Sequence, residues 1–148
     1  MSRTRSRGGK SMDDVALNKA ATIERCIRRV HEVYAGDDRN LREDITRQDS
    51  IILNLQRACE AAIDLAMHAV RKHHLGIPQD SREAFDLLTR AGLFPPETAA
   101  RLRQMVGFRN VAVHDYQTLN LDIVREIIRH RLDDLMAFAR WGVERLAK

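Results

Sequence analysis

Apolar residues recurring every three or four positions constrain this chain more than any other feature. Ala16, Ala20, Ile23, Ile27, Val30 and Tyr34 are spaced alternately by four and three, the repeat of one helix face. This stripe predicts a first helix ending at Gly36, with Asp13 and Asp14 in its first turn, where the helix dipole favours negative charge. A second, longer helix is expected to start between Asn40 and Thr46 and run to about His74. Its stripe is Ile52, Leu55, Cys59, Ala62, Ala66 and Ala69, widened by Ile51, Ala58 and Leu65. Gly76-Ile77-Pro78 stops it.

Asp80 with Glu83 resembles a capping box that opens a short third helix reaching about Ala91, closed by Gly92. Pro95-Pro96 starts a fourth, because a proline in the first turn removes no helical hydrogen bond. Ala99, Leu102, Val106 and Val113 form its apolar face. Asn120 or Thr118 caps a fifth helix carrying Leu121, Val124, Ile128, Leu135, Phe138 and Leu146. No segment alternates with the period of two that a strand needs. The expected fold is all-α, a single-domain antiparallel bundle of about five helices joined by short connections.

The length of 148 residues suits one core. No apolar run approaches the roughly 18 residues of a membrane helix, and no apolar stretch follows the basic N-terminus as in a secretory signal. Cys26 and Cys59 fall on different helices without a CxxC pattern, as expected of reduced packing residues in a cytoplasmic protein. The formal net charge is +4, but Arg3, Arg5, Arg7 and Lys10 all precede residue 12 and no acid accompanies them. Removing those four from 25 basic residues leaves 21 against 21 acids, so the rest of the chain is neutral. Residues 1–12 are expected to be a disordered basic tail, with Met12 an alternative start. An RNA-binding surface, if there is one, must come from clustering of charge within the fold.

Chemistry concentrates in Arg109-Asn110-Val111-Ala112-Val113-His114-Asp115-Tyr116, at the end of the fourth helix. A permanent cation, a side chain that titrates near neutrality and a phenol can together work on a phosphodiester without a metal. On an unbroken helix Arg109 and His114 lie about 140° apart, whereas Asn110 and His114 share a face. Arg109 and His114 converge only where the helix ends or loosens near Val113–His114, or where the arginine reaches round. Each residue also has a plainer use: Arg109 as a surface ion-pair partner, His114 satisfying a helix-end carbonyl, Tyr116 in packing.

The spacing Arg109-x4-His114-x-Tyr116, with Asn110 after the arginine, resembles the motif of HEPN domains, most closely the HepT-type toxin branch. Met105-Val106-Gly107-Phe108 ahead of it, and Arg47-Gln48-Asp49-Ser50 leading into Ile51-Ile52-Leu53-Asn54-Leu55-Gln56, extend the likeness. The resemblance makes 13–148 a HEPN-like helical domain. It implies a metal-independent endoribonuclease in which the ribose 2′-OH attacks the adjacent phosphate, leaving a 2′,3′-cyclic phosphate and a 5′-OH. His114 would be general base or acid, Arg109 would stabilise charge on the phosphate, and Asn110 would orient His114 or contact the phosphate. It further implies a homodimer with two motifs facing one cleft. Its partner would be an MNT-type nucleotidyltransferase antitoxin that transfers AMP to Tyr116. No cofactor is implied for the chain itself, ATP being the AMP donor used by that partner.

Other candidates are weaker. His68, His73 and His74 gather near the end of the second helix without an acidic or cysteine ligand at metal-site spacing. Glu60 and Asp64 read as a solvent-face pair. Arg125, Arg129 and Arg131 flank an RNA cleft or form an ordinary charged face. The rival functions are a non-catalytic accessory subunit that binds substrate for a nucleotidyltransferase, and a purely structural helical module.

Overall fold

Capping residues decide where the helices begin. Asp13 accepts from the Ala16 N–H and opens α1 (Asp14–Tyr34), and Asp44 accepts from Arg47 N–H to open α3 (Ile45–Lys72). Asp80 accepts from Glu83 N–H at the head of α4 (Ser81–Arg90), and the Glu83 carboxylate reaches back to the Gln79 N–H. Pro96 is the first residue of α5 (Pro96–His114). Asn120 accepts from Asp122 N–H and opens α6 (Leu121–His130), which α7 (Leu132–Leu146) follows. The computed structural model describes residues 13–146; the basic tail expected over 1–12 lies outside them.

Two elements depart from the five-helix expectation. A single helical turn, α2 (Arg39–Arg42), separates α1 from α3. The expected fifth helix is broken at Arg131, whose carbonyl accepts from both Asp134 and Leu135 N–H, so that α7 restarts one residue on. The break is anchored from outside: Asp134, 8% exposed, takes Nε and Nη2 of Arg101 on α5 at 2.9 and 3.0 Å. The apolar stripe runs through the break unchanged, so periodicity does not mark it.

α3 is the axis of the bundle, packed by α1, α4, α5 and α7. Its predicted stripe is buried from Ile51 to Ala69, and its alanines let neighbouring backbones approach. The closest approach is at Gly142 of α7, where a Cβ would lie 2.7 Å from Leu65 Cδ2. Nearby on α7, Phe138 and Trp141 interlock with Phe85 and Phe94, with centroids 5.1–5.6 Å apart, and the indole N–H donates to Leu93 C=O at 2.8 Å. That cluster seats the start of α5 against α7. Val113, expected on the apolar face of α5, is instead 46% exposed. Packing passes to Phe108 and Ala112, and the last turn projects beyond its neighbours.

Asp13 ties three elements together. Its carboxylate lies 2.6 Å from His68 Nε2 and 3.0 Å from Lys72 Nζ, both on α3, and Lys72 also donates to the Leu146 carbonyl. Burial alone would raise this carboxyl; the Ala16 N–H, His68 and Lys72 outweigh it and hold it at about 2. Of the three histidines weighed as metal ligands, His68 is therefore hydrogen-bonded to Asp13, while His73 caps α3. No helix among the described residues is long and apolar enough to cross a membrane.

Candidate active site

α5 runs as far as the motif's histidine. Asp115 leaves helical space (φ −152°, ψ 55°), its N–H still bonded to Val111 C=O at 2.8 Å. The chain then makes a 3-10 turn, Tyr116–Thr118, in which Thr118 N–H donates to Asp115 C=O and Leu119 N–H to Tyr116 C=O. Thr118 Oγ also donates to Asp115 C=O, closing the connection before Asn120 opens α6. His114 is thus the last helical residue, with its side chain in solvent.

Arg109 is half-buried beside α3. Its Nε donates to Asn110 Oδ1 at 3.0 Å, and its Nη1 lies 3.9 Å from Glu60 Oε2. Glu60 is also 3.5 Å from Gln56 Nε2. Under this layer Cys59 is fully buried, and burial pushes its thiol up to about 12, which leaves it inert at neutral pH. Cys26 is likewise a buried free thiol.

Tyr116, 39% exposed, donates its hydroxyl to Asp49 Oδ1 of α3 across 67 residues of chain. Burial, and then the Asp49 hydrogen bond and charge, push the phenol well above its ordinary value. A cleft of about 310 Å³ opens beside it, bounded by Gln48, Ile52, Gln117, Leu119 and Leu121.

The four predicted site residues therefore share one helix end but form two arrangements. Asn110 holds Arg109, not His114, and no hydrogen bond or ion pair among the described residues joins Arg109 to His114. The helix stays regular through His114, which keeps the two about 140° apart. Within one chain the cation and the imidazole face different directions.

The contacts of Asp49 with Tyr116 and of Glu60 with Arg109 were not expected from the sequence. Eleven residues apart, Asp49 and Glu60 fall on one face of α3, with Gln56 between them, because eleven positions bring a helix round to within about 20°. Their common face on α3 was the signal the spacing carried. Glu60 and Asp64 are both partly exposed, as residues of a solvent face, and Asp64 pairs with Lys19 Nζ at 3.1 Å. The arginines of α6 and its end do not line up on the motif. Arg129 lies in the electrostatic surroundings of Tyr34 and Arg125 in those of Asp38, and Arg131 borders a groove between α5 and α6. That groove, about 590 Å³, is lined by Met105, Phe108, Val111, Leu119, Ile123 and Ile127. It lies on a face of α5 turned away from Arg109, so it is not where that guanidinium meets a substrate.

Comparison with known proteins follows the same lines. A family model described as Ribonuclease HepT-like matches residues 23–140. The mRNA nuclease HepT of Shewanella oneidensis is 53% identical over 127 residues, covering 86% of this chain and 95% of that protein. The solved structure of a tri-AMPylated HEPN toxin from Shewanella oneidensis, in complex with MNT antitoxin, superposes with a TM-score of 0.82. It is 52% identical and the match covers 88% of this chain and 97% of that one. A toxin–antitoxin structure containing AMP-PNP matches with a TM-score of 0.82 and 50% identity, over 88% of this chain and 99% of that one. Sequence and fold agree, and the chain belongs to the HepT-like ribonuclease family.

Proposed function

We propose that this endoribonuclease is the toxin of a toxin–antitoxin pair. It cleaves RNA by attack of a ribose 2′-OH on its own 3′-phosphate, with His114 transferring the proton and Arg109 stabilising the phosphorane charge. The new bond joins the 2′-oxygen to phosphorus, the bond to the 5′-oxygen breaks, and the products are a 2′,3′-cyclic phosphate and a 5′-OH. Asn110 fixes the guanidinium through its Nε, leaving the planar fork to face phosphate oxygens.

One imidazole does not suit both removing the 2′-proton and delivering a proton to the 5′-oxygen. A second copy supplies the other. A homodimer brings the His114 of each chain toward one cleft and compensates for the angular separation of Arg109 and His114 within a chain. Val111 and Val113 beside the motif, and Ile123 across the groove, are exposed apolar residues suited to being covered by that copy.

Neutralisation acts at Tyr116. A phenol on the turn two residues after His114 is reachable by an MNT-type nucleotidyltransferase antitoxin, which would use ATP as AMP donor. Attached phosphates repel RNA and obstruct the cleft. The AMPylated toxin complex and the AMP-PNP complex among the relatives favour this reading over a passive accessory role. Both cysteines being buried free thiols suits a cytoplasmic setting.

The observation that carries the proposal is the termination of α5 at an exposed His114 with Arg109 already clamped by Asn110. The test is RNA cleavage by wild type and His114→Ala, with analysis of product ends. Cyclic phosphate ends and a loss of about 10²–10⁴-fold in the variant are expected. Equal cleavage by the two proteins sinks the catalytic role.

A further inference from the structure

Tyr116 and Asp49 come from distant parts of the chain, yet the phenol has a single hydrogen-bond partner among the described residues, and it is that carboxylate. Asp49 has no other hydrogen bond or ion pair there. The nearest arginine on its helix, Arg47, is occupied by Asp44 and by the Val33 carbonyl. Asp49 is therefore an exposed, uncompensated carboxylate already seated on the proton of the residue that accepts AMP in the reading above.

We propose that Asp49 is the general base of AMP transfer to Tyr116, removing the phenolic proton as the phenol oxygen attacks the α-phosphate of a nucleoside triphosphate. The proposal rests on Tyr116 being the acceptor. The Tyr116 Oη–phosphorus bond forms and the bond to the bridging oxygen of the pyrophosphate breaks, its electron pair leaving with pyrophosphate. The proton passes to Asp49 Oδ1 and then to water.

The electrostatics favour a concerted step. Burial and the neighbouring carboxylate hold the phenol protonated, so a free phenolate does not accumulate as the nucleophile. The same carboxylate is within hydrogen-bond reach of the departing proton, which is the geometry general-base catalysis requires. The cleft of about 310 Å³ bordered by Tyr116 offers room for a phosphate beside this residue. Once protonated, Asp49 can donate to the new phosphodiester. When it ionises again it repels that phosphate, which loosens the turn from α3.

The experiment combines the full-length protein with its purified nucleotidyltransferase partner and ATP. AMP addition is followed by intact mass under single turnover at saturating partner. Wild type, Asp49→Asn, Asp49→Glu and Tyr116→Phe are compared, with partner affinity and melting temperature measured for each. Asp49→Asn should slow transfer about 10²–10⁴-fold at unchanged partner affinity, and Asp49→Glu should restore part of the rate. The Asp49→Asn rate should also climb about tenfold per pH unit from pH 7 to 9, as hydroxide takes over the proton. Transfer at the wild-type rate in Asp49→Asn, or a loss explained wholly by weaker partner binding, overturns the role of Asp49. Tyr116→Phe separates the two levels. If it still gains AMP at the wild-type rate, the acceptor reading fails. If it does not, while Asp49→Asn reacts normally, only the base fails.

Discussion

Replacing Asp13 by asparagine should destabilise the fold by an amount the structure lets us work out. Asparagine keeps the N-cap, being among the best capping residues, and removes only the charge that faces His68 and Lys72. The Asp13 side chain is 8% exposed, so its interactions are little screened. The folded state holds the carboxyl at about 2 against an ordinary 3.8. At about 1.4 kcal/mol per tenfold change in proton affinity, the contribution at neutral pH is about 2 kcal/mol. For a domain of this size that corresponds to a fall of about 4–8 °C in Tm. The folded carboxyl binds its proton more weakly than the unfolded one, so the contribution is whole above about pH 5. It declines as the pH falls past 3.8 and is gone below about 2. Urea denaturation of wild type and Asp13→Asn, followed by circular dichroism, should show the full gap at pH 7. The gap should be about 1 kcal/mol smaller at pH 3. A gap under about 0.5 kcal/mol at pH 7, or one that does not change with pH, refutes the account of the ion pair. Asp13→Ala also loses the cap and should cost about 1 kcal/mol more.

Other perturbations probe the site and the core. Arg109→Lys keeps a positive charge but cannot hold both Asn110 and a phosphate through one planar fork. RNA cleavage should fall about 10²-fold with the melting temperature unchanged; a variant as active as wild type contradicts that role. Gly142→Ala places a methyl 2.7 Å from the terminal carbon of the fully buried Leu65 and should cost about 1–3 kcal/mol in denaturant unfolding. Combined with Leu65→Ala, its effect should be smaller than the sum of the two, and strict additivity would show that the contact is not the cause.

Much of the scaffold was legible because its signals are local. Asp13, Asp80 and Pro96 mark helix starts by side-chain chemistry within one turn, and the stripes of α1 and α3 are buried as their spacing requires. What escaped depends on partners far along the chain. α2 is four residues long, too short to show a period. The break at Arg131 is held by Arg101 gripping Asp134, 33 residues away. Val113 carries the right spacing to be buried, but the end of α5 has no neighbour to cover it. At the site, the motif residues were identifiable from spacing and family likeness. Their contacts were not, since Asp49 is 67 residues from Tyr116 and Asn110 turned to its neighbour Arg109 rather than to His114.

The exposure of His114 and Tyr116 at the tip of α5 separates what the protein does from what keeps it folded. Neither side chain contributes to the core. On the proposed reading, a substitution at His114 would abolish cleavage and leave an intact, well-folded chain. In the proposed pairing such a chain would still present the rest of its surface to the antitoxin. It would then compete with active copies for that partner, so a loss-of-function allele sharing a cell with a working one would lower the threshold for toxicity rather than raise it.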